Sequence, residues 1–349
     1  MAAAACRAQP GTMTTFGLHL TSYPESPAGD SIAAYTRDIA LAAENSGVFG
    51  TLWLTDHLHS LGPGGPAAPV PESHLVLTAA AACTQRLELG VLAASVVYRN
   101  PALLAKMITT LDVLSGGRAV LGIGAGHPRT QAEAESYGYR FPPIGARMEM
   151  LDRALELIRS MTGPEPASSA PPNWPRPLRP GGIPVLVAGS GEQLLLRIAA
   201  RHADMINLSL PAGDTLARIP HKLDVLRQHC ATVGRDPAEI TVSYKATLAV
   251  AETRRQARAA WDQWGPGFGI SEPAAEAGAF VGEPAEIADM IRPFLDAGVQ
   301  HLIIEVAGGA TPPSIALAAK ALTQLSVIER HQDAGSSTIR RHSAIPGIH

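Results

Sequence analysis

The sequence predicts an α/β protein, a (β/α)8 or TIM barrel, from three observations. Short β-branched or apolar runs alternate with longer amphipathic helical patterns along nearly the whole chain, which is typical of parallel strands joined by helical crossovers. Eight such runs can be recognised, and a helical pattern follows each one. A doubly wound open sheet is the alternative, but it usually has fewer strands and leaves its edges exposed. The predicted strands, numbered one to eight, are residues 16–20, 51–55, 87–92, 119–123, 183–188, 205–208, 240–248 and 301–306.

The length of 349 residues is compatible with two average domains or with one barrel, and the regular alternation favours one. We predict a single barrel domain over residues 15–330, with flexible tails at residues 1–14 and 331–349. The proline-rich segment 162–182 is predicted to be a loop between strands four and five, because it is too short for a domain. Residues 261–282 form a second irregular stretch.

Composition argues against several classes of protein. The net charge of -3 and the scattered arginines provide no basic surface for nucleic acid. The three cysteines, Cys6, Cys83 and Cys230, are far apart and form no CxxC pair, so neither a disulfide scaffold nor a zinc site is indicated. No apolar run reaches membrane-spanning length, and the first residues make a poor signal peptide. A cytoplasmic protein is therefore expected.

In a barrel of this kind, the chemistry lies at the carboxyl ends of the strands. Strand three runs into Ala93-Ala94-Ser95, and strand four ends in Gly122, Gly124 and Gly126, so both ends let a ligand approach the backbone. The turn Gly189-Ser190-Gly191 lies between strand five and a helix, where backbone N–H groups can receive a phosphate. The same turn is equally compatible with an ordinary connection, and the chain contains neither GxGxxG nor a P-loop.

Asp56 and His57 follow strand two, where an imidazole can move a proton while a carboxylate orients it. An equally good interpretation is that Asp56 caps a loop and His57 packs beside it. No third ligand accompanies His57 and His59, and HExxH and GxSxG are absent, so neither a catalytic metal nor a covalent nucleophile is expected. The absence of these motifs, together with the small residues at the strand ends and the glycine turn, favours chemistry that depends on a bound cofactor. A phosphorylated planar molecule such as a flavin or deazaflavin would fit.

Four segments together carry a resemblance to a known family. From about residue 16 to residue 328, the chain resembles the luciferase-like flavin monooxygenase superfamily, and within it the coenzyme F420-dependent oxidoreductases. The segments are AAENSGVFGTLWLTDHL at 42–58, VVYRNPALLAKMITTLDVLSGGRAVLGIGAG at 96–126, YGYRFPPIGARMEMLDRALELIR at 137–159 and IPVLVAGSGEQLLLRIAARHADMINL at 183–208.

The resemblance implies a (β/α)8 barrel with a non-proline cis peptide around Leu92-Ala93, bulging against a deazaflavin ring. It implies that Asp56 and His57 lie by this ring, that hydride passes between deazaflavin C5 and a C=C or C=N bond, or an alcohol in reverse, and that the chain forms a homodimer. Together with the strand ends, it predicts two sets of site residues. The cofactor-binding set is Leu92, Ala93, Ala94, Ser95, Gly124, Gly126, Thr130, Ala188, Gly189, Ser190, Gly191 and Glu192, and the substrate-binding set is His19, His127 and Asn207.

Two departures from the relatives bear on function. His127-Pro128-Arg129-Thr130 stands where close relatives have a tryptophan and acidic residues, which indicates a different substrate. The loop at 162–182 is shortened, and we expect this to widen the barrel mouth. Two alternatives to an F420-dependent enzyme remain: an FMN-dependent luciferase-like monooxygenase and an accessory protein that binds a cofactor without catalysis.

Overall fold

The structure, a computed structural model, describes residues 14–23, 32–62, 65, 68–165, 167–210, 215–268 and 272–339. Its strands are β1 (Thr15–Leu20), β2 (Phe49–Leu54), β3 (Glu88–Val91), β4 (Ala94–Ser95), β5 (Ala119–Gly124), β6 (Val185–Ala188), β7 (Met205–Leu208), β8 (Thr241–Val250), β9 (Ala279–Gly282) and β10 (His301–Val306). Its helices are α1 (Ile32–Asn45), α2 (Ser73–Cys83), α3 (Pro101–Ser115), α4 (Gln131–Ser136), α5 (Ile144–Thr162), α6 (Leu195–His202), α7 (Thr215–Val233), α8 (Arg254–Trp264), α9 (Pro284–Asp296) and α10 (Pro312–Ile339).

The parallel strands close into a barrel, which confirms the predicted fold. Neighbouring strands follow the order β1, β2, β3, β5, β6, β7, β8 and β10, and β10 pairs with both β8 and β1. These eight strands correspond to the eight predicted ones. The short β4 continues strand three beyond a break at Leu92-Ala93 and pairs with β5, while β9 pairs with the end of β8 on the edge opposite β10.

A tryptophan fills the barrel interior, and glycines on neighbouring strands make room for it. Trp53 on β2 is fully buried. A Cβ atom on Gly90 would lie 2.5 Å from its ring, and one on Gly122 would lie 2.0 Å from the Val91 carbonyl oxygen and 3.3 Å from the ring. Trp53 Nε1 donates to Thr51 Oγ1 at 2.7 Å, which also lies 3.2 Å from Nε2 of the buried His301. Hydrogen bonds therefore connect the buried Trp53, Thr51 and His301 side chains in the core.

The proline-rich loop lies at the end of the barrel opposite the predicted site. Arg179 in this loop donates to the Gly117 carbonyl and to Glu88, residues that precede β5 and begin β3. Asn173 donates to Thr109 on α3 and to the Met161 carbonyl. The segment is a loop as predicted, but the expectation that it widens the mouth is wrong, because it packs against the amino-terminal side of the strands.

The tails are only partly covered by the description. Residues 1–13 and 340–349 lie outside the described residues, so flexibility there stays a prediction. Helix α10 extends to Ile339, nine residues past the predicted end of the barrel domain at residue 330. Among the described helices, none combines the length and hydrophobicity needed to cross a membrane.

Candidate active site

Small residues form one half of the barrel mouth. The strand register places Ser95, Gly124, Ala188 and Asn207 side by side across β4, β5, β6 and β7. A Cβ atom on Gly124 would lie 3.2 Å from the Ala188 carbonyl oxygen and 3.9 Å from the Ala93 side chain. The Leu92-Ala93 peptide is cis, at the position that the resemblance predicts. The predicted cofactor residues of these strands thus share one wall, which a flat ligand could approach closely.

Charged and titratable side chains occupy the other half, on β8, β10 and β1. The Lys245 ammonium donates to Glu305 Oε2 at 2.5 Å, and Thr21 Oγ1 donates to Oε1 at 2.7 Å. Burial would raise the pKa of the Glu305 carboxyl, but the Lys245 charge and these hydrogen bonds lower it to about 2. Glu305 is therefore ionised at neutral pH and pairs with the only charged strand residue beside it on β8.

His19 lies beside this ion pair and is neutral. It is 5% exposed, and its register partners on β10 and β2 are Glu305 and Trp53. Burial, followed by the Lys245 charge, lowers the pKa of His19 to about 3. Neither ring nitrogen has a hydrogen-bond partner within the described part of the chain. The predicted substrate residue thus lies at the mouth as an imidazole without a described hydrogen-bond partner, close to Lys245, Glu305 and His57.

His57 follows β2 and is held by a carboxylate from a distant helix. Its Nδ1 atom lies 3.0 Å from Oε2 of Glu133 on α4, and Oε1 of Glu133 accepts the backbone N–H groups of Leu58 and His59. Burial would raise the pKa of Glu133, but the bonds from His57 and Leu58 lower it below its usual value. An ionised carboxylate only accepts hydrogen bonds, so Nδ1 of His57 carries the proton and Nε2 is left for a ligand. The His57 side chain is 34% exposed, so a ligand can reach it.

Asp56 does not orient His57, so this part of the predicted catalytic pair is wrong. Its carboxylate accepts two hydrogen bonds from Arg99 at 2.8 and 2.9 Å, one from Ser73 and one from the Ser95 N–H group at 3.0 Å. Because Ser95 follows the Leu92-Ala93 peptide, Asp56 fixes the wall rather than the imidazole. Asp56, Glu72 and His74 could converge on a cation, but the Arg99 guanidinium already joins the first two.

The turn after β6 resembles the predicted phosphate site only in part. Gly189 adopts φ of 140°, and the carboxyl end of its strand leads through Gly191 to α6, which begins at Leu195. The Ser190 hydroxyl donates to the Ser209 carbonyl, so it is already bonded. The Glu192 carboxylate faces away to α7, where Lys222 Nζ lies 2.6 Å and His221 Nε2 3.2 Å from Oε1. Phosphate binding by this turn stays a prediction that rests on backbone N–H groups.

The remaining predicted residues have mainly structural contacts. His127 is exposed, and its Nδ1 accepts the Arg129 N–H in a 3-10 turn over 128–130. Partial burial, with the charges of Arg129, Arg147 and His57, lowers its pKa. Thr130 donates to the His127 carbonyl, and the Asn207 amide donates to Ser243 Oγ at 3.1 Å. His127 therefore lies near His57 at the rim of the barrel. The Thr130 hydroxyl and the Asn207 amide are already hydrogen-bonded within the protein.

Arg147 on α5 shapes the loop after β5. It donates to the carbonyls of Ala125 at 2.8 Å and Gly126 at 2.5 Å, and its guanidinium stacks 3.9 Å from the Phe141 ring centroid. A Cβ atom on Gly126 would lie 3.0 Å from Ser95 Oγ, an atom that is buried without a described partner. Gly126 therefore lets the loop pack against the wall, and it does not leave room for a ligand.

Sequence reasoning missed Glu133, Lys245, Arg99 and Arg147. Glu133 lies 76 residues from His57, and no spacing rule links a strand-end histidine to a carboxylate on a later helix. Lys245 carried a usable signal, because it is a lone charge inside the apolar run of strand seven. A charge at such a position is expensive unless it is paired or functional.

The closed barrel, with a carboxylate-bound histidine and a wall of small residues at the carboxyl ends of its strands, defines the class of the protein: a barrel enzyme whose mouth suits a planar redox cofactor. The sequence profile of the luciferase-like monooxygenase family matches residues 12–303, so the chain belongs to this family of oxidoreductases.

Relatives in this family include enzymes that use different chemistry. A 4-hydroxyprotoasukamycin monooxygenase of Streptomyces nodosus subsp. asukaensis is 29% identical over 262 residues, which cover 70% of this chain and 66% of that protein. An F420-dependent glucose-6-phosphate dehydrogenase of Nocardia farcinica is 27% identical over 312 residues, covering 78% and 87%. The fold also matches an F420-dependent secondary alcohol dehydrogenase solved with an F420-acetone adduct, at a TM-score of 0.71 and 16% identity, covering 89% of this chain and 99% of that one.

Proposed function

We propose that the protein is an F420-dependent oxidoreductase that transfers hydride between deazaflavin C5 and a small organic substrate, with reduction of a C=C or C=N bond as the favoured direction. The observation that carries the proposal is the His57–Glu133 pair, which follows β2 at the same end of the barrel as the wall of small residues. The F420-dependent relative supports it, because it aligns over more of its length than the monooxygenase does.

The residues of the wall fit a bound deazaflavin. Glycine at position 124 keeps the wall flat, because a Cβ atom there would lie 3.2 Å from the Ala188 carbonyl oxygen, and the buried His19 imidazole at the same end of the barrel has no described hydrogen-bond partner. Residues 92–95, Gly124 and Ala188 would hold the ring, and the backbone of 189–191 would hold the tail. When bound, the deazaflavin gives or accepts a hydride at C5.

The chain itself would manage the proton that accompanies the hydride. Nε2 of His57 gives a proton to the reduced substrate, or takes one in the reverse direction, while Nδ1 keeps its bond to Glu133. Glu133 stabilises the imidazolium form and prevents the ring from turning. Asp56 and Arg99 act at a distance from the reaction by holding Ser95 in the wall.

Cofactor binding tests the proposal directly. Purified protein is titrated with F420 and, separately, with FMN, and the dissociation constants are measured by fluorescence. We expect F420 to bind and FMN to bind at least about tenfold more weakly, a difference of about 1.4 kcal/mol. Tight FMN binding without F420 binding would instead favour a monooxygenase, the second candidate, which the 29% identical relative supports. An accessory protein without activity is disfavoured because the His57–Glu133 pair is intact.

A further inference from the structure

The ion pair of Lys245 and Glu305 is buried at one end and open at the other. Glu305 is 3% exposed and is bonded to Thr21 as well as to Lys245. The Lys245 side chain is 39% exposed, although most of its neighbours along β8 are buried. An ammonium has three N–H donors, and Glu305 takes one of them. The pair therefore presents hydrogen-bond donors, and not its carboxylate, to the mouth.

Among the residues that the structure describes on β1, β8 and β10, the neighbours of Lys245 leave it as the cation of this half of the mouth. His19 is buried and stays neutral, because burial and the nearby Lys245 charge hold its pKa at about 3. Glu305 balances the lysine charge, so the pair as a whole has no net charge and does not require an anionic ligand. A neutral oxygen acceptor that gains negative charge during the reaction suits such donors best.

We propose that Lys245 binds the carbonyl oxygen of the substrate, which is an α,β-unsaturated carbonyl compound and not an imine. This inference rests on the proposed function. Hydride from the reduced deazaflavin adds to the β-carbon, and the C=C electron pair moves toward the carbonyl to form an enolate. The Lys245 ammonium stabilises the enolate oxygen, and the α-carbon takes its proton from His57. An imine accepts hydride readily only as an iminium cation, and the Glu305 carboxylate is not free to pair with such a cation, because it is bonded to Lys245 and Thr21.

Turnover provides the first test. Reduced F420 is mixed with 2-cyclohexen-1-one or with 1-pyrroline, and oxidation of the cofactor is followed by absorbance. The variant pair is Lys245→Met alone and Lys245→Met with Glu305→Gln, since the double change leaves no unpaired buried charge. Lys320→Met is the control, because Lys320 is an exposed residue of α10. We expect the wild type to reduce the enone and the double variant to lose on the order of 10²–10³-fold in kcat, with F420 affinity unchanged. Equal rates of enone reduction by the wild type and the double variant would overturn the inference, and so would faster reduction of the imine than of the enone by the wild type.

Ligand binding without cofactor separates this inference from the proposed function. The phenolate of 4-nitrophenol resembles an enolate, and its colour reports ionisation. We expect the wild type and Lys320→Met to bind the phenolate about 10–100-fold more tightly than the double variant, as for a hydrogen bond to a charged donor. If F420 does not bind but this difference is seen, the proposed function fails and the oxygen site stands. Equal phenolate binding, or none, overturns the oxygen site even if F420 binds.

Discussion

His57 owes its position to Glu133, and this dependence can be measured. We expect His57→Ala to lower kcat by about 10²–10⁴-fold, because the proton donor is lost. Glu133→Gln keeps an acceptor oxygen for Nδ1 but removes the negative charge beside it, so its loss of kcat should be smaller than that of His57→Ala, with KM little changed. Glu135→Gln is the matched control on the same helix, since Glu135 is exposed and contacts Gln131. A kcat of Glu133→Gln equal to that of Glu135→Gln would show that the Glu133 charge takes no part in the reaction.

At the scale of single residues, the sequence predicted positions better than partnerships. The sequence identifies His57 because it follows a strand, and strand ends meet at the mouth. The sequence also suggests Asp56, the adjacent carboxylate, as the partner of His57, but neighbouring residues at a strand end point to opposite faces. Asp56 therefore faces Arg99 and Ser95. Glu133 is 76 residues from His57 in the sequence, and the two side chains meet only in the folded barrel.

The barrel strands depend on glycine at the points where Trp53 crosses the interior. We expect Gly122→Ala to lower the free energy of unfolding by roughly 1–3 kcal/mol, because the new Cβ would overlap the Val91 carbonyl oxygen at 2.0 Å. Gly145→Ala is the control: Gly145 lies in α5 with no atom within 4 Å of its added Cβ, and alanine should stabilise the helix by up to about 1 kcal/mol. Denaturant unfolding measures both, and equal stability of the two variants would contradict this account of the core.

Element boundaries were predictable where burial dictates a repeating pattern. All eight barrel strands follow apolar runs that the sequence makes plain. β4 and β9 were missed for physical reasons. β4 has two residues beyond a break, and β9 lies inside an irregular stretch where its four residues carry no distinct pattern. The loop at 162–182 was recognised, but its position at the amino-terminal face follows only from the contacts of Arg179 and Asn173.

The outer surface of the whole molecule carries apolar side chains near α2 and α3. Leu75 is 72% exposed, Leu103 55% and Leu114 58%, and Trp174 lies next to α3 through the Lys106 contact with its carbonyl. Exposed apolar groups that gather in one region mark interaction surfaces. We propose, in line with the family resemblance, that a second copy of the chain covers them. Light scattering should show a dimer that Leu103→Asp converts to monomer, while Val233→Asp on the exposed side of α7 does not; a monomeric wild type would contradict this.

The buried histidines should make the whole fold sensitive to acid. His301 is 1% exposed, and burial lowers its pKa to about 4, as it lowers that of His19 to about 3. The unfolded chain binds protons on these side chains near pH 6.5, so it gains protons that the native state does not. Stability is therefore full above about pH 6.5 and declines as the pH falls toward these lower values. The Glu305 carboxyl, with its pKa lowered to about 2, adds a further decline below about pH 4.5.

His301→Gln tests this coupling, because glutamine can still bond to Thr15 and Thr51 but does not titrate. Between about pH 7.5 and pH 5.5, a single histidine of this kind contributes about 1.4 kcal/mol to the fall in stability. Denaturant unfolding at the two pH values should show a fall that is smaller by this amount in His301→Gln. An identical fall in the wild type and His301→Gln would mean that His301 is protonated to the same extent in the folded and unfolded states, and that its burial between Thr15 and Thr51 does not exclude the charged form.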